Sequence, residues 1–233
     1  MDDETHGGDH RDIEERLPEY RYGVVLLLML AALVFVIVTP SAAWSRAGYL
    51  VIEASALLFA LATGRAPRAI RRRRALSGAL LALVAVVVVA LSAVPSEVDF
   101  LLSGLVAAAI PVAIVGGLLR LVDDRGVTTQ AVAGALAVYV TIGLVFAWVI
   151  GFVARVGATP YFAQGTNGTE SDHVYFSFTV LTTTGFGDFT AATSLGRALA
   201  VIEMLTGQIY LVTVIGILVG NLVGRRRANA PRS

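Results

Sequence analysis

Residues 171–189 read SDHVYFSFTVLTTTGFGDF. Ser171 or Asp172 is placed to cap a short helix, and His173 to Thr182 is a compact, aromatic-rich run of about three turns. That run is too short to cross a bilayer, which takes about 20 apolar residues. It lies between two longer apolar runs, which marks a re-entrant segment. Thr183-Thr184-Gly185-Phe186-Gly187 follows, and its glycines at alternate positions permit dihedrals that other residues resist. Non-helical backbone at membrane depth is tolerated only where protein buries it or where it lines a water-filled path.

Outward from this stretch the chain is apolar almost throughout. It has 233 residues, 56% hydrophobic and 15% charged, with a mean hydropathy of +0.76. Soluble domains carry about a quarter charged residues, so the composition argues against a soluble enzyme. Of the 18 bases and 17 acids, 11 lie in residues 1–21 and four in residues 225–233. The net charge of +1 implies no nucleic-acid partner. Zero cysteines exclude disulfides and thiolate metal sites, and His6, His10 and His173 alone do not build a catalytic zinc site.

Six runs are long and apolar enough to be spans, at about 22–40, 47–64, 75–95, 98–120, 127–154 and 195–223. With a cytoplasmic N-terminus, 15 of the 18 arginines fall inside; only Arg46, Arg155 and Arg197 fall outside. The positive-inside rule therefore predicts a multi-pass cell-membrane protein with both termini cytoplasmic and residues 155–194 on the external face. A cleaved signal ending near Ser41-Ala42-Ala43 is the rival for the first run, but the region before it is long and acidic, unlike a signal. Residues 1–21 read as a disordered acidic tail. Residues 22–126 read as a four-helix membrane domain, 127–224 as a helix–loop–helix unit and 225–233 as a short basic tail. About ten residues follow the sixth run, which leads us to expect no nucleotide-binding or cation-sensing module there.

Thr182-Thr183-Thr184-Gly185-Phe186-Gly187-Asp188 resembles the signature of the tetrameric potassium channels, T-T-x-G-(Y/F)-G-D. The likeness runs without a gap through Gly196-Arg197 to Gly207, covers roughly residues 130–224, and is weak or absent before them. The resemblance implies an all-α membrane protein whose pore helix and selectivity filter lie between the fifth and sixth spans. It also implies that carbonyls of Thr183, Thr184, Gly185 and Phe186 from four subunits line a K+ path, with the Thr183 hydroxyl innermost. Rings of backbone carbonyls replace the water oxygens that a dehydrating ion loses. One loop per chain then requires a homotetramer. The pore helix would aim its negative dipole end, near Thr182, at the ion.

The chain departs from the family pattern in three places. Phe186 stands where Tyr is commoner, so no ring hydroxyl braces the filter. Tyr175-Phe176 occupy the places of a frequent Trp pair. Thr179 replaces a Glu found in some members, leaving Asp188 without that carboxylate partner.

In the sixth run, Gly207 matches the family's hinge glycine, and a glycine there either bends the helix or packs closely. Spacing of three and four places Gln208, Val212, Ile215 and Val219 on one face, assigned to an inner cavity whose apolar lower part gates by dewetting. Glu203 and Glu53 are intramembrane acids. Glu203 is expected near a pore helix or as a packing residue, and Glu53 shares a helical face with Arg46. The fourth run, Phe100 to Leu119, holds no Arg or Lys, so no arginine-ladder voltage sensor is expected. Pro111 and Gly116-Gly117 suggest a kinked helix there. Arg71, Arg72, Arg73 and Arg74 read as a topology anchor that touches anionic lipid. Asn167-Gly168-Thr169 fits a glycosylation pattern and reads as an ordinary turn.

The expected function is passive, potassium-selective conduction with no cofactor beyond the permeant K+. The alternatives are a weakly selective cation channel on the same scaffold and a potassium transporter subunit. Such transporters place four filter loops in one chain, where this one has a single loop. No paired carboxylates, nucleophile–base set or metal cluster supports a membrane enzyme.

Overall fold

The computed structural model describes residues 22–40, 42–62 and 96–221, with single positions 76, 78 and 83 between them. Six helices have described bounds: α1 (Tyr22–Val38), α2 (Ala43–Ala62), α3 (Ser96–Arg125), α4 (Thr129–Val156), α5 (Glu170–Leu181) and α6 (Ser194–Ile209). The last helix continues through a π-helical turn, Tyr210–Ile215, and runs on to Asn221. No strand occurs among the described residues; the nearest thing is an isolated antiparallel bridge between Phe162 and Ala191.

Five of the six expected runs coincide with α1, α2, α3, α4 and the α6 stretch. Apart from positions 76, 78 and 83, the run at 75–95 lies outside the described residues, as do Arg71 to Arg74 and both tails. Two helices are long and apolar enough to cross a bilayer, Thr129–Val156 and Ser194–Asn221, while α1, α2 and α3 hold shorter apolar stretches. α3 is continuous through Pro111.

α4 is the centre of the packing and touches α1, α3, α5 and α6. Thr128 caps its start by accepting from Ala131 N, and the Gly157 N–H closes its end on the Val153 carbonyl. The Gly23 N–H donates to Gln130 Oε1 at 3.0 Å, so α1 and α4 begin at the same end of the molecule. Ser171 Oγ donates to the Ile37 carbonyl at 3.3 Å, which sets the end of α1 beside the start of α5. The Tyr210 hydroxyl donates to the Ala135 carbonyl at 2.8 Å, so α6 runs antiparallel to α4. Tyr22, Met29, Ile110, Ile114 and Leu144 are fully buried at the helix contacts.

Burial is uneven between the two long helices. Of the most apolar 18 residues of each, 61% are buried within one chain for α4 and 17% for α6.

Candidate functional site

α5 begins with a reciprocal cap. Asp172 N donates to Thr169 Oγ1 at 3.3 Å, and Thr169 N donates to Asp172 Oδ2 at 2.8 Å. The helix therefore starts at Glu170, capped by Thr169 rather than by Ser171 or Asp172 as expected. The T-x-x-D spacing explains the difference, because it satisfies two orphan N–H groups at once. Asp172 becomes the returning partner and Ser171 is free to reach α1.

The turn before it is structural. Asn167 Oδ1 accepts from Tyr161 N at 2.9 Å, and the Asn167 carbonyl pairs with His173 Nε2 at 2.7 Å. Gly168 has φ +73°, and a Cβ there would lie 2.7 Å from the Phe162 ring. Burial holds the His173 imidazole below its ordinary pKa; the Asn167 carbonyl, Glu170 and Asp172 oppose this, and Arg155 adds to it. Arg155 forms an ion pair with Glu170 at 3.7 Å.

Beyond Leu181 the backbone leaves the helix while staying tied to it. The Thr183 N–H donates to the Val180 carbonyl at 2.9 Å. The N–H groups of Thr184 and Gly185 both donate to the Thr179 carbonyl, at 2.9 and 3.1 Å. Thr179 thus supports the loop through its backbone, and its own hydroxyl donates to the Phe176 carbonyl. φ is positive at Thr183 (56°), Gly185 (55°) and Gly187 (83°), and at no other residue from 182 to 188. Alternating handedness turns successive N–H groups to one side and carbonyls to the other. Here the N–H groups of Thr183, Thr184 and Gly185 face α5, so over these positions the opposite, exposed side of the loop presents oxygen. Thr182 through Asp188 are all exposed in a single chain.

A β-branched residue at positive φ costs on the order of 1–3 kcal/mol. At Thr183 the strain is held by three bonds. Besides the N–H to Val180, its hydroxyl donates to the Thr182 carbonyl at 2.7 Å and accepts from Gln208 Nε2 at 3.0 Å.

The outer end has its own braces. Phe186, 70% exposed, stacks on Tyr175 with ring centroids 6.3 Å apart and planes 5° apart. The Asp188 carboxylate near the Tyr175 hydroxyl raises the tyrosine's pKa above its ordinary value. Asp188 therefore has the Tyr175 hydroxyl near it where Thr179 supplies no carboxylate, and its Oδ1 accepts from Phe189 N at 3.0 Å. Gln164 grips the same end, donating to the Asp188 carbonyl at 2.6 Å and accepting from Thr190 N at 3.4 Å. Behind these, Tyr161, Phe162, Phe176 and Phe189 form edge-to-face contacts. Gln164 carries no signal in the sequence, lying in a mixed loop 24 and 26 residues from Asp188 and Thr190, the groups it serves.

The long last helix supplies the inner side. A Cβ on Gly207 would lie 2.3 Å from the Leu181 carbonyl oxygen, so close packing alone demands a glycine there. Glu203 is fully buried against its own chain's α5, with Ser177 Oγ 2.5 Å from Glu203 Oε1 and 2.7 Å from the Gly143 carbonyl. Glu53 is also fully buried and accepts from the Tyr49 hydroxyl; the Arg46 side chain lies outside the described residues. Gln208, Val212 and Val219 are exposed, whereas Ile215 is half-buried and packs with the α1–α4 core. The expected common face assumed unbroken α-helical spacing. The π-helical turn at Tyr210–Ile215 changes that register, and Thr213 Oγ1 bonding the Ile209 carbonyl is the kind of side-chain intrusion that bends a helix.

Among the described residues no group of three or more His, Cys, Asp or Glu is arranged to hold a metal ion. Neither a curated protein nor a solved structure gave a match to the chain. A family model does match: residues 134–223, from α4 through the loop to the end of α6, fit the one described as an ion channel. An all-helical arrangement with two long apolar helices agrees with that match, and together they support a membrane channel rather than an enzyme.

Proposed function

We propose that the protein is a potassium-selective channel of the cell membrane that conducts K+ passively as a homotetramer. The carrying observation is the alternation of positive φ at Thr183, Gly185 and Gly187 with two successive N–H groups bound to the Thr179 carbonyl. A strip of backbone whose N–H groups at Thr183, Thr184 and Gly185 are committed to α5 offers carbonyl oxygens on the other side, and a fourfold ring of such strips replaces the hydration shell of an ion. In this reading Thr183, Thr184, Gly185 and Phe186 coordinate K+, with Gly187 completing the filter. Thr182, Thr179 and Asp188 support it, and Gln208, Val212 and Val219 face the cavity below.

The fourfold assembly is supported by the exposure of α6, whose apolar surface has little cover in one chain. α5 is then a re-entrant pore helix, and both chain ends are cytoplasmic, as the arginine distribution favours. With no Arg or Lys from Phe100 to Leu119, gating does not use an arginine ladder. Arg71 to Arg74 contact anionic lipid at the cytoplasmic surface.

The test is ion flux from proteoliposomes. Potassium flux that barium blocks, with sodium permeating far less, is the expected result. Equal sodium and potassium flux would replace this reading by a weakly selective cation channel, and flux requiring a coupled ion gradient would replace it by a transporter.

A further inference from the structure

Two polar side chains meet where the loop and the last helix come closest. Gln208 follows directly on Gly207, and because Gly207 has no side chain to hold the helix off the Leu181 carbonyl, the helix comes up close to the loop at this level. That contact delivers the Gln208 amide to the Thr183 hydroxyl, 3.0 Å from Nε2 to Oγ1. Thr183 Oγ1 gives its single proton to the Thr182 carbonyl at 2.7 Å, so toward Gln208 it is an acceptor only. One of its two lone pairs is then engaged by the amide and the other is left. Thr183 is also the only non-glycine described with positive φ. Its hydroxyl would rotate among staggered positions if nothing held it.

Resting on the reading of Thr183 as the innermost ion ligand, we propose that Gln208 is a positioning residue for that ligand. By fixing the hydroxyl rotamer and leaving one lone pair directed to the ion, four Gln208 amides set how strongly the inner mouth of the filter holds a desolvated cation. The Gln208 side chain is exposed in the single chain, so this role is separate from packing. An apolar residue of the same length leaves the hydroxyl free to turn away, and cation affinity at that ring falls while the carbonyl rings above it stay intact.

Barium is the probe, because it carries two charges at a size close to that of potassium and so reports the innermost ring strongly. Block by barium applied from the cytoplasmic side is measured on reconstituted full-length protein, for the parent and for Gln208→Met. About a tenfold loss of block is expected, read relative to each variant's own potassium flux, the size of losing one hydrogen bond to a charged or ion-facing group. In a Thr183→Ala background the Gln208→Met change should alter block by less than about twofold, since coupled residues are not additive. Unchanged block in Gln208→Met, or an undiminished effect in the Thr183→Ala background, overturns the proposal while potassium flux in the parent upholds the channel reading. Absence of selective potassium flux in the parent itself overturns the channel reading, and this proposal with it.

Discussion

The indole Nε1 of Trp148 donates to the Tyr49 hydroxyl at 3.0 Å, and that hydroxyl in turn donates to Glu53. Trp148 belongs to α4, inside the channel-like unit, whereas Tyr49 and Glu53 belong to α2, outside it. All three are buried, and the Tyr49 and Trp148 rings lie 5.1 Å apart. Tyr49→Phe removes the middle of this chain and leaves the Glu53 carboxyl without its donor, at a cost of about 1–3 kcal/mol or more. Glu53→Gln keeps an acceptor for Tyr49 and should cost less. Thermal unfolding in detergent checks the order, and equal losses for the two variants would mean that the carboxyl itself, rather than the bonding chain, is required.

Gly207→Ala should destabilise the protein by roughly 1–3 kcal/mol through overpacking on the Leu181 carbonyl. A glycine serving only as a flexible joint would change gating and leave thermal stability near the parent's. Measuring both melting and open probability on the same variant separates the two roles.

Tyr175→Phe keeps the stack on Phe186 and removes the hydroxyl that lies near the Asp188 carboxylate. The outer end of the filter should then lose conduction about tenfold faster during sustained flux, as expected for one hydrogen bond to a charged group. Tyr175→Trp, which restores an N–H donor, should recover much of the difference. Single-channel recording in planar bilayers reads this directly.

His173 is held neutral by burial, with its pKa lowered in the folded state. Below about pH 6.5 the unfolded chain takes up a proton at this position that the folded chain does not. Stability from this group is therefore intact above about pH 6.5 and declines as the pH falls. Melting midpoints measured from about pH 7.5 to about pH 5 should drop more steeply for the parent than for His173→Asn. Parallel curves would show that other groups carry the acid sensitivity.

The helices were legible because α4 and α6 are long uninterrupted apolar runs, a signal that one sequence displays in full. The loop was legible because glycine at alternate positions has few other uses. Its braces were not. Tyr175 and Asp188 are 13 residues apart and Gln164 and Asp188 are 24 apart, distances at which no local pattern operates. The α5 cap was assigned two or three residues late because Ser171 and Asp172 are good caps in isolation, and only the reciprocal bond with Thr169 selects between them. The π-helical turn was illegible for a different reason. Tyr210–Ile215 (YLVTVI) is an apolar, β-branched stretch like others in these spans, and nothing in that composition marks the extra residue per turn.

The scant cover on α6 bears on what one damaged copy does to the others. In the proposed fourfold assembly α6 finds its neighbours in other chains and draws those chains into a common fate, and the folded state then depends on protein concentration as well as on sequence. In a fourfold ring made from equal amounts of intact and filter-broken chains, about one assembly in sixteen is free of broken copies. A defect confined to the loop would therefore act dominantly, silencing nearly all conduction while half the chains remained sound.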